Sequence, residues 1–210
     1  MTTQLGVYNQ TLVEHLGERK LTSLTDTRAA RRKLDVIWDN GFVDGILEDG
    51  QWNFAIREGL LDYNSDYDPE FGYQYVFDRP TDWIRTTALS IDETFNNPLL
   101  RYSDVGDFIS CDMQSFYMSW VSNGSSYGGD LTRWPKSFTD YAASALACRA
   151  SMTITQNARL EEKLEVRAAK LLKKARSKDA LNQPTKFLPK SSWLKSRSGN
   201  YGSSERGGRV

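Results

Sequence analysis

The apolar residues of this chain recur with a helical period at both ends and with a strand period in the middle. The two periods call for different packing, because a helix buries a stripe and a strand buries alternate residues. Near the start, Leu5, Tyr8, Leu12, Val13 and Leu16 predict a helix over 5–17, ended by Gly17. A second helix is expected over 27–47, capped by Thr25 or Asp26, with Ala30, Leu34, Ile37, Trp38 and Ile46 on one side. Arg28, Arg31, Arg32 and Lys33 crowd its first two turns, the unfavourable end for cations. They imply acidic neighbours, a partner or a solvated face. The period then changes. Residues 52–59 place Trp52, Phe54 and Ile56 on one face, and 71–80 place Phe71, Tyr73, Tyr75 and Phe77 on one face. Short strands are also expected over 82–91, 106–111 and 115–122, with a turn-rich loop over 123–130. Helix returns over 138–155, capped by Ser137, and over 157–177, striped by Leu160, Leu164, Ala168, Leu171, Leu172 and Ala175. Acidic residues open that last helix and basic residues close it, as the helix dipole favours.

Charge divides the chain. Residues 1–130 hold 10 Lys/Arg against 21 Asp/Glu, and residues 131–210 hold 17 against 6, so a net −11 faces a net +11. Such asymmetry suits polar contact with other copies or other partners. The basic end finishes in PTKFLPKSSWLKSRSGNYGSSERGGRV (184–210), too rich in Pro, Gly and Ser to bury a core alone, yet carrying Phe187, Leu188, Trp193 and Leu194. No apolar run approaches the roughly 20 residues of a membrane helix, and the N-terminus lacks the basic and apolar regions of a signal peptide. Cys111 and Cys148 stand far apart and are expected as reduced thiols.

Constellations for catalysis are sparse. The single histidine, His15, lies among apolar neighbours without metal-ligand spacing around it. There is no glycine-rich phosphate loop and no G-x-S-x-G elbow. The carboxylates of DYNSDYDPEFG (62–72) read as a solvated acidic loop more readily than as a hydrolase pair. No enzyme activity, cofactor or metal is therefore expected. The basic C-terminal region, with Trp193 and Tyr201, offers phosphate contact and base stacking, which keeps a nucleic-acid-binding protein as the alternative.

An ordered series of motifs runs through HLGERKLTSLTDTRAARRKLDVIWDNGFVDGILEDGQWNFAIREGLL (15–61): Leu16-Gly17, Leu24-Thr25-Asp26, Ala30-Arg31, then Trp52-x-Phe54-Ala55-x-Arg57 and Leu60. FGYQYVFDRPTDWIRT (71–86) adds an aromatic strand, a P-x-D turn and a following Arg strand. Together with the closing helix pair and SSWLKSR, the series resembles the head-to-tail adaptor (tail tubular protein A-like) family of tailed bacteriophages over about 5–197.

The resemblance implies a structural virion protein at the head–tail junction, made in the host cytoplasm. It implies a homo-oligomeric ring, usually of twelve copies, under the portal protein. Such a ring continues the channel for genomic DNA and meets a tail or nozzle protein below. The fold it implies is mainly α: a helical bundle from 1–50 and 131–177, a small antiparallel β insertion over 51–130 facing the tail, and an extended C-terminal arm over 178–210. Two helix groups flanking a strand block agree with one shared helical core. On this reading Phe187, Leu188, Pro189, Lys190, Trp193, Leu194, Lys195 and Arg197 bind the portal, the aromatics as anchors and the cations as steering charges. Arg159, Arg167 and Lys170 of the closing helix meet acidic residues of the next subunit. The aromatics of the strand block are expected to be exposed and to meet the next tail component.

Overall fold

The computed structural model describes residues 1–67, 69 and 72–182. The fold is mixed α/β, with 44% helix and 20% strand in two three-stranded antiparallel sheets, which corrects the expectation of a mainly α bundle with a small insertion. The reason is that the strand block carries a hydrophobic core of its own.

The N-terminal element starts as α1 (Gln4–Gln10) and widens into a π-helical stretch over Thr11–Leu16. Thr3 caps it, accepting from the Gly6 N–H, and Gly17 ends it at a φ of 70°. The helix expected over 27–47 is broken. It comprises α2 (Ala29–Ile37), a wide turn at Trp38–Phe42 in which Gly41 has a φ of 76°, and α3 (Val43–Glu48). Neither Thr25 nor Asp26 is the cap residue; Asp26 instead accepts from the Arg28 N–H at 3.1 Å. The basic cluster at this end has internal work. Arg28 donates to the Arg19 and Lys20 carbonyls, Arg31 to that of Asp26, and Arg32 to that of Thr27, so these residues pin the preceding loop.

α4 (Lys136–Thr155) is the central helix, buried on almost every side by Phe138, Tyr141, Ala142, Ala143, Leu146, Ala147 and Ala150. It begins directly after Pro135 and has no side-chain cap, so Ser137 lies inside it. α5 (Ala158–Ala180) is capped by Asn157 and packs on α4 through Leu164 and Ala175. Leu34, Leu146 and Leu164 are buried as their stripes require, while Trp38 is only partly so.

The strands form two layers. One sheet has the order β1 (Ile56–Asp62), β6 (Ser115–Ser122), β3 (Trp83–Ser90). The other has the order β2 (Tyr75–Asp78), β5 (Phe108–Cys111), β4 (Tyr102–Val105). Between them lie Phe77, Leu89, Ile109, Cys111, Phe116, Met118 and Trp120, with Phe77 edge-on to Phe116 at 4.6 Å. Each such side chain contributes about 1.5–3 kcal/mol on burial. The expected exposure of the strand-block aromatics therefore fails for Phe77, Phe116 and Trp120. Tyr63, Tyr67 and Tyr102 do face solvent.

β6 joins the two cores. Phe116, Met118 and Trp120 face the sandwich, while Val121 belongs to the helical core with Ala55 and Trp52. Trp52 and Phe54 sit in the turn before β1 rather than on the strand expected at 52–59. Trp52 meets Phe138 at 4.7 Å and Phe54 meets it at 4.9 Å. Phe71, at the start of the strand expected over 71–80, lies outside the described residues.

Candidate interaction surface

Where the sandwich meets the helices, two stretches singled out separately in the sequence come together. Arg57, from the Trp52-x-Phe54-Ala55-x-Arg57 run, donates through Nη1 to Asp82 Oδ2 at 2.8 Å. Asp82 closes the turn that begins at Pro80. Ser122 at the end of β6 donates to the same oxygen, and its Oγ accepts from the Gly124 N–H at 3.0 Å. The Asp82 carbonyl accepts from the Asn123 N–H at 3.1 Å, and Asn123 Nδ2 donates to Asp44 on α3 at 3.0 Å. Partial desolvation pushes the Asp82 carboxyl up, but hydrogen bonds from Ser122 and Arg57 and the Arg57 charge outweigh it, leaving Asp82 below the usual carboxylate range. Ser122 is fully buried and its carboxylate partner is held by an arginine, so the group is a joint that ties one sheet to α3, not a nucleophile with a base. Asp82 stands in the P-x-D turn of the motif series, but Ser122 gave no signal in the sequence, because its partner lies 40 residues away along the chain.

The loop over 123–130 is pinned to the helical core at Gly128, its one buried residue. Trp134 Nε1 donates to the Gly128 carbonyl at 2.8 Å, and the Gly128 N–H donates to that of Ser122 at 3.0 Å. A Cβ on Gly128 would stand 2.5 Å from the Ser122 carbonyl oxygen and 2.8 Å from Leu47 Cδ1. The end of α5 is fixed to the same region: Asp179 accepts from the Asn53 N–H at 3.0 Å, and Asn53 Nδ2 donates to the Asp179 carbonyl at 2.7 Å. Burial pushes the Asp179 carboxyl up despite that hydrogen bond. The helix thus runs through Ala180, past the position 178 at which the arm was expected to begin.

The outer face of α5 is the most strongly charged helical surface. Arg159, Arg167 and Lys170, expected to meet a neighbouring subunit, are all exposed. Between 167 and 178 stand Arg167, Lys170, Lys173, Lys174, Arg176 and Lys178, all exposed. At about 1.5 Å per residue they occupy roughly 17 Å of helix. The ion pairs of the described residues lie elsewhere, and Arg176 donates to the Asp49 carbonyl at the end of α3. The sandwich carries the opposite charge, with Glu93, Asp107 and Asp112 exposed. The residues expected to bind the portal, Phe187 to Arg197, lie outside the described residues.

His15 is buried in the N-terminal helical element, which packs on α4, and its Nδ1 has no hydrogen-bond partner among the described residues. Burial lowers its pKa and the Arg167 charge lowers it further, against Glu14 and Asp140. Among the described residues no group of His, Cys, Asp and Glu is arranged to hold a metal ion, and no helix is long and apolar enough to cross a membrane. Cys111 and Cys148 are free, and burial pushes both thiols up. Comparison with protein-family models and with curated proteins gives no match.

Proposed function

We propose that this protein is a structural, non-enzymatic component of a phage head–tail junction: an adaptor whose copies associate head to tail into a ring beneath the portal. The observation that carries the reading is the exposure of opposite charge on separate elements of one chain, cations on α5 and carboxylates on the sandwich. Unlike surfaces that attract suit a heterologous contact, and a heterologous contact that closes generates a ring. The motif series over 15–86 adds the choice of family. On this reading the ring passes genomic DNA and meets a tail or nozzle protein below. The segment from Phe187 to Arg197 reaches the portal, with Trp193 as its anchor.

The same α5 cations favour a second reading, in which the helix contacts the phosphates of a nucleic acid. One experiment separates the two. The purified protein is sedimented alone, with a tailed-phage portal, and with duplex DNA, across a salt series. Assembly into a large ring, alone or on the portal, with DNA affinity no higher than micromolar, supports the adaptor. A chain that stays monomeric with portal and binds DNA with a steep salt dependence overturns it.

A further inference from the structure

We infer that the free edge of β1 is a docking site for an extended basic segment of the same chain, residues 190–197 (KSSWLKSR). Among the described residues β1 is an outer strand, paired only with β6. The hydrogen bonds that bracket the pair run from the Ser122 N–H to the Ala55 carbonyl and from the Tyr63 N–H to the Gln114 carbonyl. In an unbroken antiparallel register, bonded residues alternate. Arg57, Gly59 and Leu61 therefore bond to β6, and Ile56, Glu58, Leu60 and Asp62 turn their N–H and C=O groups outward. An unpaired edge of this kind is a template for strand addition. A cleft of about 460 Å³ runs beside it, bounded on the far side by residues 78–81.

Three observations select the occupant. The first is charge. Arg57 and Arg79, the cations of the cleft, are already paired with Asp82 and Asp104. Glu58 and Asp62 are exposed and stand in none of the ion pairs of the described residues. The edge is thus acidic, and residues 183–210 hold six Lys/Arg against Glu205 alone. The second is position. Asp179 binds Asn53, three residues before β1 begins, so the described chain ends beside the base of that strand. The eight steps from Asn182 to Lys190 reach at most about 26–29 Å, and β1 is about 23 Å long, so Lys190 can be brought onto this strand. The third is side-chain chemistry. Residues 190–197 contain no proline, so each has an N–H to donate. Trp193 and Leu194 point to opposite faces of an extended strand. In any register one of them covers the face of Leu60, which is 50% exposed.

The inference concerns the free chain and does not rest on the adaptor reading; a portal that binds this segment would compete with β1 for it. The test is residue-resolved amide exchange on the full chain and on the full-length variant W193P/L194P, which removes adjacent N–H donors without touching the described body. The expected result is that the Glu58, Leu60 and Asp62 amides exchange at least about tenfold more slowly in the parent than in the variant. Gly59, Leu61 and Tyr63, bonded to β6, should exchange alike in both. Equally fast exchange of the outward amides in both proteins would overturn the docking. Equally slow exchange in both would overturn the choice of segment and give the edge to another occupant, such as a second copy.

Discussion

The Arg57 guanidinium crosses the middle strand of its sheet to reach Asp82. It leaves β1, passes 5.3 Å from the ring centre of Trp120 on β6, and meets the carboxylate just before β3. One side chain thereby ties both outer strands of the sheet, and through Ser122 and Asn123 the tie extends to α3.

The two partners are not equivalent. The Asp82 side chain is 13% exposed and accepts from two donors, whereas that of Arg57 is 45% exposed. Asp82→Ala leaves Ser122 Oγ buried without its acceptor and should cost about 1–3 kcal/mol in urea unfolding. Arg57→Ala loses a half-exposed ion pair and should cost about 1 kcal/mol or less. Equal losses would mean that the ion pair, not the buried hydroxyl, dominates the joint. Because Asp82 sits below its ordinary range, its contribution is present at neutral pH and is lost as pH falls through that lowered value.

Gly128 tests the packing of the joint without touching a charge. Its Cβ would meet backbone oxygen at 2.5 Å, and no rotamer change relieves that. Gly128→Ala should destabilise by about 1–3 kcal/mol, the usual range for overpacking. The thermal midpoint would fall by several degrees, as seen by circular dichroism. An unchanged midpoint would mean that the loop shifts freely.

The helical periods were legible in the sequence because each helix has one apolar stripe. Their interruptions were not. The break at Asn40–Gly41 needs a positive φ at Gly41; the Asn-Gly pair is itself a turn signal, but the apolar stripe from Leu34 to Ile46 runs through it and hides the break from a reading by period. Trp52 alternates with Phe54 and Ile56 as a strand would, yet its ring is taken by Phe138 and Tyr141 of α4, so the chain turns there. β4 escaped notice because three of its four residues are exposed and give no alternation. The mixed α/β class is hidden for a related reason: alternation locates a strand but does not say what covers it. Phe77 and Phe116 could equally have faced a partner, and they face each other. In the joint, Arg57 and the turn at Asp82 drew attention separately, but their meeting depends on the β1-β6-β3 order.

His15 is the chain's only histidine, which isolates its titration. Its folded pKa lies below the ordinary 6.5, so the unfolded state takes up a proton first. Stability should therefore fall as pH drops through about 6.5 toward the lowered value. His15→Gln should flatten that slope in thermal unfolding between about pH 5 and 7. A slope that survives the substitution would assign the loss to the carboxylates.

Asp179 acts with the opposite sign. Its folded pKa is raised, so the folded state binds its proton first, and stability falls as pH rises from about 4 through the raised value. Asp179→Asn keeps an oxygen acceptor for the Asn53 N–H and removes the buried charge. It should match or exceed the parent at pH 7, with the advantage gone near pH 4. A loss at pH 7 would mean that the ionised carboxylate is needed to hold α5 against Asn53.

Arg167 and Lys170 carry the assembly proposal most directly, since both are exposed on α5 and neither has an ion pair within the described residues. A single exposed pair contributes about 0–1 kcal/mol. A reversal at both positions converts attraction into repulsion at every interface of a closed ring, so small terms accumulate. The double variant R167E/K170E should keep the parent's circular dichroism, because neither side chain enters the core. It should lose ring formation at low salt, measured by sedimentation velocity alone and with portal. The parent should lose assembly gradually as added salt screens the faces, over a length of about 10 Å at 0.1 M. If the variant assembles like the parent across the whole salt series, α5 is not the subunit contact, and the cations of that helix belong to another partner.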